Sequence, residues 1–104
     1  MNQLKVVAKV VEKSVLRYTP AGIPIATAIL IHDSKQEQAG GLRQVEFEMS
    51  AIAAGKISKR FLEIDLGVLM IFTGFLARKN RNSKSLVFHI TEFQIMEDET
   101  NLLD

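Results

Sequence analysis

The segment Arg78-Lys-Asn-Arg-Asn-Ser-Lys84 sets four positive charges within seven residues, with no acid among them. Like charges at that density repel, so folding by itself gives no reason to collect them on one short stretch. A phosphate backbone does, because every phosphate neutralised by a Lys or Arg releases condensed counterions. Arg78, Lys79, Arg81 and Lys84 are therefore candidate contacts to a polyanion. Asn80 and Asn82 can hydrogen-bond phosphate or sugar oxygens and also suit a turn. A solvated hairpin tip, where Lys and Asn are common, is the plainer explanation of the same composition.

A second candidate lies in Arg17-Tyr-Thr-Pro-Ala-Gly-Ile-Pro24. Pro20 holds its φ near about −65° and Gly22 can take positive φ, so the segment reads as a tight reversal. Arg17 can meet a phosphate there. Tyr18 is the single Tyr of a chain without Trp; it can stack on a base, or it can pack over the mouth of the fold. Phe47, Phe72 and Phe88 fall on the apolar parity of their segments and are expected in the core. Binding should then lean on charge, with steep salt dependence and little preference among bases. Lys35 and Arg43 bracket a polar loop and are secondary candidates; Lys5, Lys9 and Lys13 share one strand face and could extend the positive surface, with a solvated strand face the plainer reading. Glu46 and Glu48 share an outer face with Gln44 and would repel DNA. Either the nucleic-acid path avoids them or that surface meets a protein.

Enzymatic chemistry finds little support. His32-Asp33 has the adjacency of a metal-ligand pair, but only His89 remains to complete a His-rich site, and His89 reads as a structural strand residue. Ser14, Ser34, Ser50, Ser58, Ser83 and Ser85 lack the glycine context of an activated nucleophile. Gly40-Gly41 is not followed by Lys-Ser/Thr, so it is no phosphate-binding loop. Cysteine is absent, which removes disulfides and thiolate metal sites and fits a reducing cytoplasm. No enzyme, metal, cofactor or small-molecule substrate is expected.

The elements that must position these residues are mostly strands. Residues 4–13 alternate Leu4, Val6, Ala8 and Val10 with lysines. A second strand runs from about Ile23 to Asp33. Residues 35–41 form a polar loop, and a third strand spans roughly Arg43–Met49. Residues 50–66 interrupt the β pattern: Ala51-Ile-Ala-Ala favours helix, and Ile57, Phe61 and Ile64 sit at helical spacing. Val68–Ala77 and Leu86–Met96 complete five strands. A helical interruption after the third strand is the layout of the OB-fold, a five-stranded Greek-key barrel, and the reading is all-β; a small SH3-like barrel would share much of it. Strand four is apolar on both sides, so Leu69, Ile71 and Phe75 would be exposed unless a second subunit or the helical segment covers them. That points to a homodimer.

At 104 residues the chain is one domain, and 47% hydrophobic content is marginal for a lone barrel of this size. All 13 Lys and Arg lie before residue 92, against seven of the 12 acids. A basic body (residues 1–97) with a short acidic tail (98–104) follows, and the tail also reads as a solubilising terminus. The N-terminus has no signal-peptide pattern, and no apolar run reaches the roughly 20 residues that span a bilayer, so no membrane is expected.

Tyr18-Thr-Pro-Ala-Gly-Ile-Pro24, Gln36-Glu-Gln-Ala-Gly40, Gln44 through Met49, Gly74-Phe-Leu76 with its basic loop, and His89 together resemble the bacterial single-stranded-DNA-binding protein family. The similarity is greatest to its replication-restart branch, the primosomal replication protein N (PriB) family, over about residues 3–97. The resemblance implies a non-catalytic, homodimeric OB-fold that binds single-stranded DNA. It further implies contact with the PriA helicase and other primosome components, helping to reload the replicative helicase at forks on the bacterial nucleoid. It assigns DNA contacts to Arg17, Tyr18, Arg78, Lys79, Arg81 and Lys84. The chain departs from better-known relatives in having Glu46 and Phe47 where a Trp stands on strand three, which implies weaker stacking. It also lacks the long tail ending in an acidic-Phe motif, so its acidic end should not recruit partners that way. The reading from another class is a protein-interaction module whose basic loop binds an acidic partner, with DNA binding vestigial.

Overall fold

The computed structural model describes residues 1–96, and the expected acidic tail lies outside them. The elements follow the order β1 (Leu4–Lys13), β2 (Arg17–Tyr18), β3 (Pro24–Gln38), β4 (Gly41–Ala54), α1 (Ile57–Leu62), β5 (Leu69–Arg78) and β6 (Leu86–Ile95). One sheet runs β1-β5-β6-β4-β3-β2, and an additional β1–β3 pairing closes it into a barrel. All neighbours are antiparallel except β4 and β6, which pair in parallel through Ala51↔Phe88 and Ile52↔His89. That closure is the five-stranded OB-fold the pattern predicts, with β2 as a two-residue ribbon added against β3.

The barrel interior is lined by alternate residues: Val6, Ala8 and Val10 from β1, Ala26, Ala28 and Leu30 from β3, Met70 and Phe72 from β5, and Phe88 and Ile90 from β6. Phe61 of α1 is fully buried and meets Phe72 and Phe93 at centroid distances of 6.2 and 6.1 Å, so the short helix plugs one end. Arg60 lies over the outer side of that cluster, 5.3 Å from the Phe93 ring.

Four expectations are overturned, three of them on β3 and β4 and the fourth at Lys13. Ala51–Ala54 is strand, not helix. Ala51 and Ala53 pair with Ala28 and Ala26 on the interior face, where the phenylalanines take the volume and only small side chains fit; tertiary packing overrides the helix preference of Ala. Residues 35–41 are not a loop. β3 and β4 stay paired out to Gln38↔Gly41, joined by Ala39 (φ 53°) and Gly40 (φ 81°), the two positive φ values of a tight hairpin turn. This arm extends past the barrel, so both faces meet solvent, and on its β3 side polar residues follow one another from Asp33 to Gln38 with no hydrophobic alternation. Phe47 stands on the arm, not in the core: it is 39% exposed and stacks on His32 at 4.8 Å, while Phe72 and Phe88 are fully buried as expected.

Two irregularities shape the surface. The register of β1 against β3 shifts between Val10 and Glu12, which turns Lys13 inward. Its Nζ donates to the carbonyls of Leu62 (2.9 Å) and Ile64 (2.6 Å), so Lys13 ties β1 to the end of α1 instead of sharing a solvated face with Lys5 and Lys9. The second shift, between Thr73 and Gly74 of β5, brings the β6 backbone so close that a Cβ built at Gly74 would overlap the His89 carbonyl.

Candidate nucleic-acid interface

A cleft of about 650 Å³ crosses the outer face of β3, β4 and β6. Its floor comes from the residues that alternation leaves outside the barrel: Thr27 and Ile29 of β3, Ser50 and Ile52 of β4, Val87 and His89 of β6. On one side stands Arg17, from the turn between β1 and β3; on the other stand Arg78 and Lys79, where β5 enters the loop to β6. Three of the eight expected contacts thus converge on one open channel.

Each wall is locally fixed. In the first turn the Gly22 amide donates to the Thr19 carbonyl (2.8 Å) and the Ile23 amide to the Thr19 hydroxyl (3.1 Å), with Gly22 at φ 83°. Arg17↔Ile25 and Tyr18↔Pro24 then form the ribbon that carries Arg17. Beside it the Ser14 and Thr27 hydroxyls lie 2.6 Å apart and the Ser14 amide donates to the Thr27 carbonyl (3.0 Å), pinning β1 where it leaves the barrel. In the basic loop the Lys79 amide donates to the Ser85 carbonyl (2.9 Å), and the Asn80 side chain accepts from the Asn82 amide (3.0 Å). Asn80 therefore shapes the turn. Arg78, Lys79, Arg81 and Lys84 are all exposed around it.

The remaining candidates separate. Tyr18 is 59% exposed, but it follows Arg17 on the same ribbon, and alternation turns it away from the channel that Arg17 lines. Lys35 and Arg43 flank no loop; they sit on the arm, paired with Gln44 and Gln36 respectively. Those pairings put them on opposite faces. Lys35 shares its face with Asp33, Glu46 and Glu48, and there Gln44 donates through Nε2 to Asp33 Oδ1. Arg43 shares the other face with Gln36, Phe47 and His32, and its Nη1 donates to Gln38 Oε1 (3.0 Å). Neither lines the cleft.

A metal reading of His32-Asp33 fails on hydrogen bonding. His32 Nδ1 lies 2.6 Å from the Val7 carbonyl and Nε2 lies 2.7 Å from Ser34 Oγ, so both ring nitrogens are occupied. Among the described residues no group of three or more His, Asp or Glu is placed to hold an ion, and no helix is long and apolar enough to cross a membrane. Sequence reasoning missed the cleft floor. Ile29, Ile52, Val87 and His89 come together only through the parallel β4–β6 pairing, a contact between segments that no local pattern announces.

The chain matches a family model described as "another single-strand binding protein family" over residues 2–92. It is 39% identical over 95 residues to replication restart protein PriB of Nitrosomonas europaea, covering 91% of this chain and 88% of that one. The PriB of Bordetella pertussis is 36% identical over 92 residues, covering 88% and 86%. Among solved structures, PriB from Ralstonia solanacearum superposes with a TM-score of 0.86 at 41% identity, covering 93% of this chain and 99% of that one. The single-stranded DNA binding protein of Thermus aquaticus shares the fold at a TM-score of 0.73 and 20% identity, covering 96% and 52%. The chain belongs to the PriB family of replication restart proteins, built on the single-strand-binding OB-fold.

Proposed function

We propose that this protein is a non-catalytic adaptor that binds single-stranded DNA across the cleft between Arg17 and the basic loop. In this reading it works in the bacterial cytoplasm at forks on the nucleoid. There it bridges DNA to the PriA helicase and other primosome components, so that the replicative helicase is reloaded. The observation that carries the reading is the cleft itself: a floor in which Ile29, Ile52 and Val87 alternate with Thr27, Ser50 and His89, rimmed by Arg17, Arg78 and Lys79, with Arg81 and Lys84 exposed further along the same basic loop. Cations at the rim meet phosphates while the floor between them accepts bases, the division of labour that single-strand binders use. The relatives named as replication restart proteins support the cellular setting.

A homodimer is part of this proposal. Val7 pairs with Ile71 on the outer face of β1 and β5, beside Leu69 (41% exposed), and β1 joins β3 only from Lys9 onward. An apolar patch next to a partly free strand is a surface that a second copy would cover. Arg17, Arg78, Lys79, Arg81 and Lys84 are the principal DNA contacts; Lys35, Arg43 and Tyr18 are peripheral. Titration of labelled oligo-dT at two salt concentrations tests the central claim. Binding at low salt that falls steeply with added salt supports it. Absence of binding at low salt, with helicase binding intact, would replace it with the protein-interaction module.

A further inference from the structure

We infer that His89, held flat against Phe75, is a base-stacking platform of the cleft. The inference rests on the cleft being the DNA channel and adds the aromatic contact that the chain otherwise lacks there. Phe75 and His89 are direct cross-strand partners on β5 and β6, and their rings stack at 4.9 Å with only 3° between planes. His89 lines the cleft, and its parallel partner on the opposite side is Ile52, also a floor residue. Phe75 thus covers one face of the imidazole, while His89 lines the channel beside Ile52, in a cleft walled by Arg17 and by Arg78 and Lys79.

Its flanks hold this ring in place. Phe88 and Ile90, the neighbours of His89 in the chain, are 0% and 3% exposed inside the barrel, so the backbone beneath the ring is fixed. A ring already ordered loses little conformational freedom when a base stacks on it. The two histidines also differ in how they are bonded. Both nitrogens of His32 are taken, whereas the ring of His89 makes no hydrogen bond among the described residues and can offer one to a base edge. Cross-strand packing by itself explains why the two rings touch; it does not explain why the polar ring faces the channel and the apolar one stands outside it.

The test compares oligo-dT with an abasic oligonucleotide of the same length, using the full chain. For His89→Ala, affinity for oligo-dT should fall about five-fold or more. Affinity for the abasic strand, and the salt slope on either, should stay at the wild-type value. His89→Phe restores a stacking face and should recover oligo-dT binding, which separates loss of the platform from loss of the fold. Equal losses on both strands, or no loss on oligo-dT, would overturn the platform while leaving the charged cleft standing. Wild-type protein that binds neither strand at low salt would overturn both.

Discussion

Replacing Arg17, Arg78 and Lys79 together with Gln removes the exposed cations that line the cleft, leaving Lys13, whose ammonium is tied to the Leu62 and Ile64 carbonyls, and keeps side chains of similar reach. All three are exposed, so the fold should tolerate the change within about 0.5 kcal/mol. For single strands each neutralised phosphate contributes about 0.7 to the slope of log affinity against log salt. Five phosphate contacts, counting Arg81 and Lys84 of the same basic loop, give a wild-type slope of about −3.5. The triple variant should give about −1.4. Between 50 and 200 mM salt the wild type should then lose roughly 130-fold in affinity, and the variant only about seven-fold. The control is Lys35→Gln with Arg43→Gln, which removes two cations from opposite faces of the arm and should leave the slope close to the wild-type value. Fluorescence titration of labelled oligo-dT at four salt concentrations reads both slopes. A slope unchanged in the triple variant, or an equal drop in the arm variant, would refute the placement of DNA in the cleft.

Three predictions concern the scaffold, each measured by thermal or denaturant unfolding. Lys13→Met removes two charge-assisted hydrogen bonds to the carbonyls of Leu62 and Ile64 and should cost about 2 kcal/mol, far more than removing a solvated lysine; an effect below about 0.5 kcal/mol would return Lys13 to the surface. Gly74→Ala forces a methyl group into the His89 carbonyl, backbone against backbone, and should destabilise by about 3 kcal/mol. Phe47→Ala should cost only about 1 kcal/mol, against about 4 kcal/mol for Phe72→Ala, because Phe47 is 39% exposed and Phe72 is fully buried. Comparable losses at the two positions would place Phe47 in the core after all.

What the sequence made legible follows from which interactions are local. β1, β5 and β6 were readable within a residue or so: β1 shows the period of two of a strand with one face in the barrel, and β5 and β6 are runs of mostly apolar and β-branched residues set off by Gly67 and the basic loop. The Thr19–Ile23 reversal was readable because Pro20 and Gly22 fix its geometry whatever surrounds them. The arm was hidden for the converse reason: from about residue 33 on β3 both faces meet solvent, so polar residues appear in succession and mimic a loop. Ala51–Ala54 was misread because Ala is chosen there for size, and size is set by Phe61, Phe72 and Phe88 across the barrel. Lys13 changed sides through one extra residue in β1, a shift that composition does not announce. The charged rim of the cleft was legible as a run of like charges. Its floor was not, since Ile29, Ile52 and Val87 look like ordinary strand residues until β4 and β6 are paired.

Electrostatics along β3 and β4 explains why a channel should cross these strands and not follow them onto the arm. Ser50 lines the cleft, and the next residue of β4 on the same face is Glu48, opposite Ile31; beyond it Glu46 stands opposite Asp33. Successive same-face residues lie about 6.7 Å apart, so Glu48 is within one Debye length, about 8 Å at physiological ionic strength, of a phosphate at the cleft edge. A strand running outward along that face would meet three carboxylates in two steps, relieved only by Lys35. Running across the barrel, it would pass from Arg17 over Ile29, Ile52 and His89 to Arg78 and Lys79, with Glu12 the one acid among the described residues that line the way. The same two strands therefore carry a cation-rimmed floor where they belong to the barrel and an acidic face where they leave it. Alternation in the sheet is enough to keep the two apart.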